Sequence, residues 1–306
     1  PYQQYILGPT DSLATLLKGY GYETRAFHPG EQTSWQRNIA YPRLGFDSFK
    51  CGEDMDVPQT EEHGYVSDDS DFEQIIWEFE HKDESTPLFL FNVTIQNHGS
   101  YTVEDYPAEV QLADEPGAYP KAEQYLTLAN KTDEAFKKLI DYFSAQTEPT
   151  ILVMFGDHQP SVEQEFLDKA YGVTQDEMTM AQYMDKFKVP FIIWANYSLT
   201  GDSTKITSLN FLAQYVLRNA GIETSAYGKY LWNLQKTIPA MTFAGYFDSE
   251  GNAYSHLDTT KFTPLIKDYE RVQYNNLFGG NERQAELFAS PASITSVSYT
   301  HLTLPT

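Results

Sequence analysis

Apolar residues fall along this chain in two alternating rhythms. Three short runs, Pro87-Leu-Phe-Leu-Phe-Asn-Val-Thr-Ile95, Ile151-Leu-Val-Met-Phe155 and Val189-Pro-Phe-Ile-Ile-Trp-Ala195, are apolar almost throughout. That pattern predicts strands covered on both faces, with Ile151–Phe155 in the middle of a parallel sheet. Tyr22 to Phe27 predicts a fourth, shorter strand that delivers His28. Between them the spacing turns helical. Leu13, Leu16 and Leu17 share a face in 11–18, stopped by glycines at 19 and 21. Phe72, Ile75, Ile76 and Phe79 do so from Ser70 to Glu80, where Ser70 and Glu73 have capping-box spacing. A long helix is predicted from Lys121 to Phe143, with Tyr125, Leu128, Thr132, Phe136, Leu139, Ile140 and Phe143 along one side. Residues 161–186 are acidic and read as helical or looping, and 208–219 as a helix stopped by Gly221.

Strands alternating with helices of this length predict βαβ units, hence an α/β fold with a mainly parallel sheet sandwiched between helices. The pattern weakens from Tyr227 to Phe247. The alternation from Tyr246 to Tyr254 around Asp-Ser-Glu-Gly-Asn predicts a β-hairpin, and 261–277 a peripheral closing helix. The expected organisation is a catalytic α/β domain over 1–226 and a hairpin-plus-helix subdomain of the same unit over 227–295.

Candidate chemistry stands where the runs end. Ile151–Phe155 is followed by Gly156, Asp157 and His158, and Pro87–Ile95 by Gln96, Asn97 and His98. In open α/β sheets ligands collect beyond the carboxyl ends of the strands. Asp157 and His158 read either as half of a divalent metal site or as a turn cap beside a surface histidine. Trp35 and Arg37 lie two apart in a polar segment, so an extended backbone would point both to one side. A tryptophan wall beside a guanidinium suits a phosphate ester of a small polyol. The plainer reading, a core aromatic and a solvated charge, is the favoured one from these residues alone.

Charge narrows the partners. The 306 residues carry a formal net charge of −22. That argues against nucleic acid and against non-specific binding to an anionic membrane surface, and a phosphate site here needs a locally positive device. A single cysteine, Cys51, excludes an internal disulfide. No apolar run is long enough to span a bilayer. The chain opens on Pro1 and reads as an excerpt of a longer protein, whose isolated fold is expected to be incomplete at the sheet. The last residues, 296–306, resemble the translation of a transposase adapter and are set aside.

Together, Ala26-Phe-His-Pro-Gly30 with Ser34-Trp-Gln-Arg37, Phe91-Asn-Val-Thr-Ile-Gln-Asn-His98, and Phe155-Gly-Asp-His158 carry a resemblance. So do Asn233-Leu-Gln-Lys-Thr-Ile-Pro239 and Gln273-Tyr-Asn-Asn-Leu-Phe278. The chain resembles the extracellular catalytic domain of the lipoteichoic acid synthase family, within the alkaline phosphatase and sulfatase superfamily. The resemblance runs to about Ala289. It implies that Asp157 and His158 are two of four protein ligands of one divalent ion, manganese or magnesium. It also implies that His98 lies beside the transferred phosphoryl group and that His28, Trp35 and Arg37 bind glycerophosphate. The implied reaction is phosphoglycerol transfer from a glycerophospholipid donor to a polyol or glycan acceptor, building or decorating a cell-envelope polymer. A threonine nucleophile and a glutamate ligand are implied as well, and no residue before His28 matches them. Membrane helices upstream, an extracellular catalytic face and a bacterial, Gram-positive setting follow from the same likeness. Two departures stand out: Gly30 replaces the family's aspartate, and Gly-Asp-His-Gln-Pro differs from the synthases proper. A sulfatase, phosphodiesterase or phosphoethanolamine transferase of the superfamily, or a non-catalytic glycerophosphate-binding surface module, remain alternative expectations.

Overall fold

The computed structural model describes residues 2–104, 106–200 and 206–292; the segment 296–306 lies outside them. One helical turn, α1 (Tyr2–Tyr5), precedes α2 (Leu13–Gly19), whose N-cap Ser12 accepts from the amide of Ala14. The strand β1 (Glu23–His28) follows, then α3 (Arg37–Arg43) and β2 (Ser48–Cys51). A small antiparallel ribbon, β3 (Glu61–Glu62) and β4 (Tyr65–Val66), leads into α4 (Asp68–Glu80) and β5 (Leu88–Asn92). The strands β2, β1 and β5 form a parallel sheet in that order, with Ala26 of β1 opposite both Phe49 and Phe91. The α/β architecture expected from the alternation is present.

Helix α4 starts earlier than its capping-box spacing predicts. The cap is Ser67, whose hydroxyl accepts from the amide of Ser70, and Asp68, Asp69 and Asp71 occupy the first turn. Acidic residues favour the positive end of a helix, so the acidic run at 68–71 could be absorbed into the helix itself.

The long helix α5 (Pro120–Ser144) crosses to β6 (Ile151–Phe155), and after α6 (Gln164–Tyr171) and α7 (Met180–Asp185) the chain returns as β7 (Phe191–Ala195). Here the structure corrects the expectation. Strands β6 and β7 pair antiparallel, Val153 opposite Ile193, in a two-stranded ribbon separate from the parallel sheet. Nor is the ribbon covered on both faces, since Phe155 is 39% and Ile192 46% exposed, and apolar continuity carries no information on strand direction. One face of the ribbon is covered: Leu152, Met154 and Trp194 pack on Phe72, Phe136, Leu139 and Phe143 of α4 and α5.

Beyond the ribbon come α8 (Leu209–Asn219), α9 (Ala226–Leu234), the strands β8 (Ala240–Met241), β9 (Gly245–Phe247) and β10 (Ala253–Ser255), then α10 (Thr263–Phe278) and α11 (Ala285–Phe288). The predicted hairpin is β9–β10, with Tyr246 opposite Tyr254. The weak pattern after Tyr227 hides α9, a short helix capped by Ser225 and interrupted in its periodicity by Gly228. Helix α10 is not peripheral. Its Ile266 and Tyr269 join Phe211, Leu231, Leu234, Ile238 and Tyr246 in one buried cluster. Among the described residues no helix is long and apolar enough to cross a membrane.

Candidate active site

Because β1, β2 and β5 run parallel, their carboxyl ends share one edge, and His28 is the last residue of β1. Its ring is 3% exposed, and Nδ1 lies 2.7 Å from the carbonyl of Val93. A carbonyl can only accept, so Nδ1 carries the proton and Nε2 keeps its lone pair. Burial above all, with the nearby charges of Arg37 and His98, lowers the imidazole pKa to about 4 against a favourable bond to Val93. The ring is therefore neutral at pH 7. The same ring accounts for Gly30. A Cβ at that position would sit 2.5 Å from His28 Nε2 and 3.0 Å from Ile95 Cδ1, so a side chain there must displace one of them.

Trp35 and Arg37 do not lie on an extended backbone. Ser34–Gln36 form a single tight turn, with φ of 57° at Trp35 and 55° at Gln36, and Arg37 opens α3. Left-handed backbone at two successive side-chain-bearing residues costs roughly 1 kcal/mol or more each, a strain that clusters at ligand clamps. The plainer expectations are both inverted. Trp35 is 56% exposed, whereas Arg37 is 8% exposed, bonding through Nη1 to the carbonyl of Ser34 at 3.3 Å and leaving Nε without a partner. A buried cation with an unused donor is costly unless an anion completes it.

His98 stands exposed in the loop after β5. Its Nδ1 donates to the carbonyl of Gly99 at 2.7 Å, so Nε2 is again the bare nitrogen. The Tyr65 ring meets it edge-on at 5.6 Å, with the hydroxyl 3.4 Å from Nδ1. Sequence reading missed Tyr65. The available signal was His63-Gly64, both left-handed at φ 55° and 81°, the conformation of a tight hairpin turn.

Asp157 and His158 follow β6 with side chains 80% and 77% exposed. His158 Nδ1 donates to the Gln159 carbonyl at 2.9 Å, which leaves the Nε2 lone pair 3.4 Å from Asp157 Oδ2. Both groups are exposed, so water can solvate the two lone pairs until an ion binds. Two donors each about 2.0–2.2 Å from one ion lie roughly 3 Å apart, so the pair fits half of a divalent site. Among the described residues no three His, Cys, Asp or Glu side chains group closely enough to hold a metal.

The structure brings Arg37 and His98 each within electrostatic reach of His28. Tyr101, whose hydroxyl donates to the carbonyl of Asn97 at 2.7 Å, is close enough to Asp157 to feel its charge. Burial first, then Tyr125 and the Asp157 charge, push the Tyr101 pKa up to about 12. A separate cavity of about 1590 Å³ between β7 and α8 takes in Asp157 and His158 but not His28, Arg37 or His98.

Comparison with known proteins bears on the family and the fold. A profile described as Sulfatase matches residues 1–222. A putative cyclic beta-1,2-glucan modification protein of Rhizobium meliloti (strain 1021) is 29% identical over 97% of this chain and 47% of its own length. Lipoteichoic acid synthase-like YvgJ of Bacillus subtilis (strain 168) is 28% identical over 58% of this chain and 28% of its own. The chain thus spans less than half the length of either relative. Among solved structures, the Streptococcus pyogenes phosphoglycerol transferase GacH in complex with sn-glycerol-1-phosphate superposes with a TM-score of 0.67 at 18% identity, covering 88% of this chain and 65% of that one. The chain belongs to the Sulfatase family, has lipoteichoic acid synthases among its homologues, and shares the fold of GacH.

Proposed function

We propose that this chain is the phosphoglycerol-transferring part of a longer bacterial cell-envelope protein, moving glycerophosphate from a glycerophospholipid to a hydroxyl of a glycan or polyol. The observation that carries the reading is the buried Arg37, with an unused Nε–H, beside the neutral His28 and next to His98. In a chain of net charge −22 this guanidinium is the local positive device a phosphate ester needs. The names of the relatives support the class: one is a putative cyclic beta-1,2-glucan modification protein, another is lipoteichoic acid synthase-like, and GacH is a phosphoglycerol transferase solved in complex with sn-glycerol-1-phosphate.

In this reading Arg37 pairs with phosphoryl oxygens, and His28 Nε2 accepts from a glycerol hydroxyl. Trp35 covers the glycerol carbons, and His98 Nε2 takes the acceptor alcohol's proton. Asp157 and His158 hold one divalent ion, manganese or magnesium, which when bound neutralises phosphoryl charge. A threonine nucleophile, a further acidic ligand and membrane helices belong to sequence outside residues 1–306, with the catalytic face outside the membrane. The test is calorimetric titration of the full-length protein with sn-glycerol-1-phosphate, followed by diacylglycerol release from phosphatidylglycerol vesicles. Binding that Arg37→Ala abolishes, with release that rises when a polyol acceptor is added, is the expected result. Release unaffected by acceptor makes it a phosphodiesterase; turnover of a sulfate ester instead overturns the reading.

A further inference from the structure

Behind His98 lies a buried hub that the transfer reading does not use. The Thr132 hydroxyl of α5, 6% exposed, is met by four groups. Asn97 Nδ2 donates to it at 2.8 Å and Gln96 Nε2 at 3.2 Å. Its single proton goes to Asp68 Oδ2 at 2.6 Å in preference to the Leu128 carbonyl at 3.1 Å. Gln96 closes the ring by accepting from the Asp68 amide at 2.9 Å. One oxygen therefore ties the first turn of α4, the middle of α5 and the two residues that precede His98.

We infer that Thr132 is a positioning residue for His98, acting through Asn97, with Asp68 holding the Thr132 hydroxyl in the orientation that accepts from Asn97. The inference rests on His98 belonging to the transfer site. Asn97 is held at both ends: its side chain by Thr132, its carbonyl by the Tyr101 hydroxyl. The His98 amide bonds back to Ile95 at 2.9 Å. The His98 ring is itself exposed, so its place depends on this backbone clamp and on its bonds to Gly99 and Tyr65. A hydroxyl that donates to a carboxylate is polarised and accepts more strongly, which tightens the grip on Asn97. Asp68 is fully buried, and burial raises its pKa to about 6. A fold selected for stability alone would be better served by an amide there.

The experiment uses the full-length protein and diacylglycerol release from phosphatidylglycerol vesicles, with a thermal melt for each variant. Thr132→Val and Asn97→Ala should lower kcat by roughly tenfold to a hundredfold, the scale of an ångström-sized misplacement, with KM little changed. Thr132→Ser, which keeps the hydroxyl, should recover most of the rate. Ring nitrogen shifts should show His98 protonated at Nδ1 in the wild type and mixed between tautomers in Thr132→Val. A folded Thr132→Val or Asn97→Ala with wild-type kcat overturns the inference, as does Thr132→Ser failing like Thr132→Val. Failure of both Thr132→Val and Asn97→Ala to fold also overturns it, because the hub is then structural. If His98→Ala turns over at the wild-type rate, the site reading itself has failed, whatever the Thr132 variants do.

Discussion

The two halves of the candidate site are built on opposite terms. At the parallel sheet, His28 and Arg37 are buried and tied to backbone carbonyls, and the loop bearing His98 is anchored by a closed ring of hydrogen bonds. At the β6–β7 ribbon, Asp157 and His158 are exposed and, among the described residues, bond to their immediate neighbours. A buried cation and imidazole must find their partners as the chain folds, or the fold bears the desolvation cost. An exposed carboxylate–imidazole pair costs little until an ion binds, so its geometry can be completed late. In the proposed reading, glycerophosphate binding is thus prepared during folding and the rim is completed by ligation.

Mutations on the two sides should separate those terms. The largest effect is expected from Arg37→Ala, weakening sn-glycerol-1-phosphate by about 2–3 kcal/mol, read by calorimetry. Removing a buried guanidinium with an unused donor should leave the melting temperature unchanged or higher. A clear loss of stability would make Arg37 a structural residue and erase the contrast.

Asp68 tests whether pH dependence resides in the buried half. Its folded pKa of about 6 lies above the usual carboxylate value, so the folded state binds more protons than the unfolded one between pH 4 and 6. Stability from this group is thus retained in acid and falls as pH rises through that window. Asp68→Asn should stabilise by about 2–3 kcal/mol at pH 7 and by little below pH 4, by denaturant titration. His28 works in the other direction. Its pKa, lowered to about 4, favours folding above the unfolded value near 6.5 and is lost in acid. Removing Asp68 should therefore unmask a stability that rises with pH. Asp71, also pushed up by burial and by Asp68, keeps part of the opposing slope.

Gly30→Ala comes next, at about 1–3 kcal/mol of destabilisation from the clash with His28 and Ile95, with weaker glycerophosphate binding. The smallest effect belongs to the rim. Asp157→Asn should move stability by no more than about 0.5 kcal/mol while lowering manganese affinity, measured by electron paramagnetic resonance. Equal metal affinity in that variant would remove Asp157 from the proposed ligand set.

Much of this arrangement could be read before any contact was known. The runs at 88–92, 151–155 and 191–195 and the helix at 120–144 were legible because periodicity follows burial. Histidines after two such runs were expected at one common edge, but β5 lies in the parallel sheet and β6 in the separate ribbon. Thr132 was legible only as one more position on the inner face of α5; its spacing could not show that a hydroxyl there gathers Asp68, Gln96 and Asn97. Tyr65 reaches His98 across more than thirty residues of chain, through a ribbon too short to have a period.

Local pattern thus specified the elements and the chemistry at their ends, since both depend on residues near one another along the chain. The direction of β6 against β7, the outward turn of Trp35, the burial of Arg37 and the hub at Thr132 were decided only by packing. Each is a contact between distant segments, and the energy that selects it is absent until those segments meet.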